Sequence, residues 1–185
     1  MIIFDLDGTL ANCEHRRHFI NPEKYPDLCE YSNYRMINGK PHIDLDGKAS
    51  WRYKKNGEPF QHGFKSFYEA CDKDLLIWPV KSMFIQNTHR DVKIWSGRCE
   101  SVRKKTVRWI YNHTELCETY IDSILKMRPE GDYIPDDELK EKWLDEALSE
   151  GKKIDFVFDD RPKVIRMWCR RGIFVFNCCQ HDEEF

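Results

Sequence analysis

No apolar run in this chain of 185 residues comes near the roughly twenty that a membrane span needs. The first run, Met1 to Phe4, is also far too short for a signal-peptide core. Both lacks point to a soluble protein of the cytoplasm. Net charge is equally scarce, since 30 Lys and Arg stand against 32 Asp and Glu for a formal charge of −2. No global cationic field therefore holds the chain to nucleic acid or an anionic membrane, and any such contact has to come from a local patch. The sequence has no Cys-x-x-Cys pair, and its histidines supply no zinc pattern around the 8 cysteines. Without a signal sequence or regular spacing these read as reduced thiols, and adjacent Cys178 and Cys179 as strand-end packing. A Gly-x-x-x-x-Gly-Lys-Ser/Thr loop is missing too. Its nearest imitation, Gly47-Lys48-Ala49-Ser50, lacks the upstream glycine and the hydroxyl directly after the lysine. There is no internal repeat and no low-complexity segment.

What is present suffices for one domain with a real core, because 41% of the residues are hydrophobic and 34% charged. Short apolar runs recur at Met1 to Phe4, Val92 to Trp95, Tyr120 to Leu125, Ile154 to Phe158 and Ile173 to Phe176, and the first four end at polar clusters. They read as buried strands. Helical patterns lie between them, near Pro79 to His89, Glu100 to Tyr111, Pro135 to Leu148 and Pro162 to Arg171. Such alternation predicts an α/β fold, a parallel sheet covered on both faces, with functional groups at the carboxyl ends of its strands. Residues 21–61 break the pattern: they are rich in Tyr, Asn, Gly and Pro, and Asn38-Gly39 and Asn56-Gly57 are hairpin-turn signals. A small β-rich insertion over 21–61 within a core of 1–20 and 62–185 is the organisation expected.

Four polar clusters carry chemistry. Asp5 and Asp7 leave the first buried strand one residue apart, and two close carboxylates are costly unless a cation sits between them. Oxygen ligands alone favour Mg²⁺. Gly8 lets the chain bend, and Thr9 adds a hydroxyl. The bland alternative, a simple turn, has its control in this same chain: Asp44-Leu45-Asp46-Gly47 repeats the tetrad with no buried strand before it and reads as a turn. Second, Ser96-Gly97-Arg98 after a strand makes a cradle for phosphate oxygens, although Ser-Gly is also a common turn. Third, at about 100° per residue Leu139, Trp143, Ala147, Leu144 and Leu148 spread over an arc of about 180°, and Lys140 falls at its middle. A lysine there needs an anionic partner, unless its stem lies on apolar surface and its amine snorkels to water. Fourth, Asp159-Asp160 follows the strand Phe156-Val157-Phe158 and would join Asp5 and Asp7 on one metal, or one of the two would cap the helix that begins at Pro162.

In this order the clusters resemble the four signature motifs of the haloacid dehalogenase superfamily, whose core is a Rossmann-like sheet with a cap insertion. The half from Ile94 onward is similar to the 3′-phosphatase domain of phage-type polynucleotide kinase-phosphatases, through Ile94-Trp95-Ser96-Gly97-Arg98, Met127-Arg128-Pro129-Glu130-Gly131-Asp132, Asp136-Asp137-Glu138-Leu139-Lys140, and Phe158-Asp159-Asp160-Arg161-Pro162-Lys163-Val164 through Met167-Trp168. With no Gly-x-x-x-x-Gly-Lys-Ser/Thr loop among these residues no kinase half is expected in them, and the insertion near Tyr31 to Tyr68 departs from the short connection expected there.

The resemblance implies a Mg²⁺-dependent phosphomonoesterase. Asp5 would be the nucleophile, giving an aspartyl-phosphate, and Asp7 the acid and base. The metal would be held by Asp5, the Asp7 backbone carbonyl, Asp159 and Asp160, while Ser96 and Lys140 complete the anion cradle. Arg98, Arg128 and Arg161, with Thr9 and Gly97, are candidates to grip the phosphate, although each of these three arginines could equally be a surface ion-pair residue, and Arg17 is a candidate for substrate contact. From Tyr31 to Tyr68 there are 7 Lys or Arg against 3 Asp or Glu, interleaved with Tyr34, Trp51, Tyr53, Phe60, Phe64 and Phe67. That mixture suits nucleobase stacking and backbone contact, or else is the insertion's own small core. The expected substrates are nucleic-acid 3′-phosphate ends or, alternatively, free nucleoside monophosphates. A non-catalytic nucleic-acid binding module is the third reading, and no obligate protein partner is indicated.

Overall fold

The computed structural model describes residues 1–21, 24, 29–31, 34–37, 40–43, 50–53, 59–61 and 63–179. Its elements run β1 (Ile2–Phe4), β2 (Ala11–Asn12), a 3₁₀ helix (Glu14–Phe19), β3 (Cys29–Tyr31), β4 (Tyr34–Ile37), β5 (Lys40–Ile43), β6 (Ser50–Tyr53), β7 (Pro59–Gln61) and α1 (Phe64–Glu69). After β8 (Leu75–Leu76) come α2 (Trp78–Asn87), β9 (Val92–Cys99), the two helices α3 (Arg103–Thr114) and α4 (Glu118–Ile124), then β10 (Leu125–Arg128), α5 (Asp136–Ser149), β11 (Phe156–Asp159), α6 (Pro162–Arg170) and β12 (Val175–Asn177). The chain divides into two compact units, Met1–Cys13 with Asp74–Phe185, and Glu14–Lys73.

The first unit is built on a five-stranded sheet in the order β10-β9-β1-β11-β12. Every pairing in it is parallel, with Ile3 opposite Lys93 on one side and Val157 on the other. The α/β expectation therefore holds. Strand order reverses around β1, whose two neighbours are reached by crossovers in opposite directions, and such a switch point opens a crevice at the carboxyl ends of the strands. Alternation along the strands sends Ile3, Val157 and Trp95 to one face, where α5 and α6 bury Leu139, Trp143, Leu144, Val164, Met167 and Trp168 against them. On the other face Phe4 stacks on Phe158 at 4.4 Å and meets Phe84 of α2 edge-on at 5.3 Å.

The segment Tyr120 to Leu125, read above as a strand, is mostly helix: α4 ends at Ile124 and β10 begins at Leu125. Its apolar residues admit both periods, and the buried pair Ile121 and Ile124 follows the helical spacing of three. Ser96-Gly97-Arg98 lies inside β9, which runs on to Cys99, and does not form a loop after it. The β2–β8 pair, antiparallel with Ala11 opposite Leu76, has no clear sequence signal because each strand is two residues long.

In the second unit β3, β6 and β7 form one antiparallel sheet and β4 with β5 a hairpin in which Ile37 pairs with Lys40. Its turn at Asn38-Gly39, and also Asn56-Gly57 and the second Asp-x-Asp-Gly at Asp44 to Gly47, lie outside the described residues. Arg16 of this unit sets its guanidinium 4.0 Å from the Phe67 ring centre and donates to the Phe67 carbonyl at 3.1 Å. Among the described residues, no helix is long and apolar enough to cross a membrane. No disulfide joins the cysteines whose side chains are described.

Candidate active site

Two strand ends and the start of a helix deliver the site. Asp5 follows β1 and stays in register through its N–H, which donates to the Phe158 carbonyl at 2.9 Å. Asp159 is the last residue of β11, and Asp160 comes next. The carboxylate oxygens of Asp5, Asp159 and Asp160 lie within 4.8 Å of one another, and all three residues are buried. Lys140 enters from the first turns of α5, where Leu139, Trp143, Leu144 and Ala147 are buried around it. Its Nζ donates to Asp5 Oδ1 at 2.8 Å and to Asp159 Oδ2 at 2.7 Å. The lysine at the middle of an apolar arc thus has its anions and does not snorkel.

The environment sets the charges. Burial lifts the Asp5 carboxyl from 3.8 to about 6 against the pull of Lys140, with the Asp159 charge adding to the rise. Burial, then the charges of Asp5 and Asp159, hold the Asp160 carboxyl well above the usual carboxylate range. Burial disfavours the Lys140 ammonium, but the charges of Asp159 and Asp5 outweigh it and raise its pKa, so the lysine is a cation. Burial and the Asp160 charge push the nearby Cys178 thiol up to about 12, which leaves it neutral and no nucleophile.

Further side chains fix these groups. Trp168 Nε1 donates to Asp159 Oδ2 at 3.3 Å, and the Arg161 N–H donates to Asp159 Oδ1 at 3.2 Å. Thr9 Oγ1 donates to Asp160 Oδ1 at 3.1 Å. Gly8 has φ +88°, and a Cβ there would lie 1.9 Å from Asp160 Oδ2, so both its backbone and its lack of a side chain are required. Three buried carboxylates that offer oxygen donors only, two of them, Asp5 and Asp160, with raised proton affinity, are the set a hard divalent cation such as Mg²⁺ fits.

Asp7 is oriented differently. Its carboxylate lies outside the three-carboxylate cluster, and Oδ1 accepts from Arg98 Nε at 2.9 Å and Nη2 at 2.5 Å. Arg98 is fully buried and also donates to Asp74 Oδ2 at 2.6 Å. Ser96 is buried, and its hydroxyl accepts the Arg98 N–H at 3.2 Å. Arg128 pins the loop before α5 through the Gly97 carbonyl at 3.1 Å and the Ile134 carbonyl at 2.7 Å. Both Arg128 and Arg161 donate to the Asp136 carboxylate, against which Gly97 also sits, with room for no Cβ. Of the arginines named from sequence in this unit, Arg161 is the exposed one, with 45% of its side chain accessible. Arg17 belongs to the second unit, where its Nε pairs with Glu14 at 2.6 Å.

Sequence reasoning missed Asp74, Asp136 and Trp168 as parts of this arrangement. Asp136 had a signal, since it stands one helical turn before Lys140 on the same face. Asp74 had none, being one acidic residue before a two-residue strand.

The family model of the polynucleotide kinase PNKP phosphatase domain matches residues 43–183. The chain is 34% identical over 144 residues to the putative bifunctional polynucleotide kinase/RNA ligase of Autographa californica nuclear polyhedrosis virus, across 77% of this chain and 20% of that protein. Among solved structures, a chain of the Pnkp1/Rnl/Hen1 RNA repair complex superposes with a TM-score of 0.59 at 22% identity, covering 98% of this chain and 43% of the other. A second structure of that complex gives 0.56 at 23%, covering 98% and 46%. The chain therefore spans between a fifth and under half of the length of these proteins, and the structural likeness is one of fold.

Proposed function

The chain belongs to the polynucleotide kinase PNKP phosphatase-domain family, which makes it a haloacid dehalogenase-type phosphatase, and on that premise we propose that it removes 3′-phosphates from nucleic-acid ends by a Mg²⁺-dependent route through an aspartyl-phosphate. The observation that carries the reading is the buried ammonium of Lys140 between Asp5 and Asp159 at the strand switch point. A merely structural ion pair gains little from such burial, because the desolvation cost rivals the Coulombic gain. A site that must hold a transferring phosphoryl group gains a preorganised cation.

Asp5 is the nucleophile. With its carboxyl near 6, it is largely ionised at neutral pH and still desolvated enough to be reactive. Asp7 protonates the leaving alcohol and then takes a proton from the water that clears the intermediate. Asp5, the Asp7 carbonyl, Asp159 and Asp160 would hold Mg²⁺, whose contribution is to draw charge from the phosphoryl oxygens. Ser96, Gly97 and Lys140 cradle those oxygens. Thr9 steadies Asp160, and Arg161, the exposed arginine, contacts the substrate beyond its phosphate, with Arg128 holding the adjoining loop. The basic and aromatic composition of Tyr31 to Tyr68 supports a role for that stretch in selecting the substrate. The relatives, a putative polynucleotide kinase/RNA ligase and a member of an RNA repair complex, support nucleic-acid ends over free nucleotides.

The test is Mg²⁺-dependent phosphate release from a 3′-phosphorylated oligonucleotide and from a deoxynucleoside 5′-monophosphate, with Asp5→Asn as the control. We expect preference for the oligonucleotide and no turnover by Asp5→Asn. Preference for the mononucleotide would overturn the substrate, and an active Asp5→Asn would overturn the mechanism.

A further inference from the structure

We propose that Asp74 is a positioning residue for this phosphatase, acting through Arg98 to fix the carboxyl group of Asp7. The proposal rests on the role given to Asp7 above.

Asp74 is the first residue after the second unit's span and directly precedes β8, yet its side chain is completely buried. Its backbone carbonyl accepts from Trp109 Nε1 at 2.8 Å and its carboxylate from Arg98 Nη2 at 2.6 Å, so it is held at both ends. Arg98 is tied on every side. Nε and Nη2 go to Asp7, Nη2 also to Asp74, and Nη1 to Thr106 Oγ1 at 3.4 Å, while the Trp109 ring centre lies 6.0 Å from the guanidinium carbon. A guanidinium is a rigid planar fork, so fixing its far edge fixes the near one.

Two carboxylates share one fully buried guanidinium, and only the Asp7 end of the group reaches water, with 18% of its side chain exposed. Its effect is orientation. Arg98 donates to Asp7 Oδ1 through both Nε and Nη2, and an oxygen that accepts from a cation twice does not carry the carboxyl proton, which therefore belongs to Oδ2. In the first half-reaction an Asp5 oxygen bonds to phosphorus, the P–O bond to the leaving alcohol breaks with its electron pair, and that oxygen takes the Oδ2 proton. In the second half-reaction water attacks phosphorus, its proton goes to Oδ2, and the Asp5 carboxylate leaves. An Asp7 carboxyl turned away from the leaving oxygen would slow the first step, and a misplacement of about 1 Å is enough to cost roughly 10²-fold.

The experiment compares wild type, Asp74→Asn and Asp7→Asn on a 3′-phosphorylated oligonucleotide and on p-nitrophenyl phosphate, whose leaving group departs as the anion and needs no proton. Asp74→Asn keeps the shape of the side chain and weakens its hold on Arg98. For the oligonucleotide we expect kcat to fall at least tenfold with KM within threefold, while the first-turnover burst of p-nitrophenolate stays within threefold of wild type. Equal losses on both substrates, or an unchanged kcat on the oligonucleotide, overturn the proposal. If Asp74→Asn does not fold, Trp109→Phe, which removes the bond to the Asp74 carbonyl, is read by the same two ratios. Asp7→Asn separates the two levels of argument. If it is inactive on the oligonucleotide while Asp74→Asn is unimpaired, only the role of Asp74 fails; if it is fully active, the reading of the site fails.

Discussion

Gly8 shows how narrowly single residues are determined at this site. Its φ of +88° is one that residues with a Cβ rarely adopt, and the space a methyl would need is occupied by the Asp160 carboxylate. Gly8→Ala therefore has to move Asp160 away from Asp5 and Asp159, and losses of about 10–100-fold in metal affinity are typical when a ligand's support is disturbed. We expect calorimetric titration to give at least tenfold weaker Mg²⁺ binding, with kcat/KM falling in step; unchanged binding would remove Asp160 from the ligand set. The residues of this cluster were legible in the sequence because each stands next to a strand end or on a helix with a clear period. Arg98 was visible, but its partnership with Asp74 was not, since 24 residues and no regular period separate the two. Asp7 paired with Asp5 on the page of the sequence, whereas the folded chain turns its carboxylate to Arg98 and away from the three-carboxylate cluster.

At the scale of elements, α5 is the part that joins the core to the chemistry. The apolar arc that buries Trp143 and Leu144 is the same arc that delivers Lys140, and Asp136, Asp137 and Glu138 in the first turn suit the positive end of the helix dipole. Trp143 is 3% exposed and meets Trp95 edge-on at 5.8 Å. Trp143→Ala should thus cost about 3–5 kcal/mol in urea unfolding, whereas Trp78→Ala, at a position 66% exposed, should stay within about 0.5 kcal/mol. A small cost at Trp143 would mean that α5 is not anchored through this face. Elements were legible in proportion to their periodicity: α2, α3, α5 and α6 lie close to their expected spans. The run from Tyr120 failed because Ile121 and Ile124 fit a short helix while Leu125 starts the strand, and a few apolar residues cannot by themselves separate the two periods.

For the whole molecule, the concentration of buried carboxylates couples folding to protonation and, on the proposed function, to metal binding. Asp5 has a folded-state pKa raised from 3.8 to about 6, and Asp160 is raised as well. A raised carboxyl binds its proton more tightly in the folded chain, so its contribution to stability is fully present below about pH 4 and is lost as the pH rises through about 6. Above that window the metal-free protein carries the repulsion of ionised, desolvated carboxylates. A divalent cation removes that repulsion, but only after displacing the protons, so its binding strengthens as the pH rises through the same window. Since ligand stabilisation follows the ratio of free metal to its dissociation constant, the rise in melting temperature on adding Mg²⁺ should be small at pH 5 and markedly larger at pH 7.5. Thermal melts at fixed Mg²⁺ and ionic strength measure this directly, and the comparison within each pH cancels the titration of carboxylates elsewhere. An increment independent of pH would mean that Asp5 and Asp160 are already ionised without metal, and that Lys140 alone neutralises the cluster.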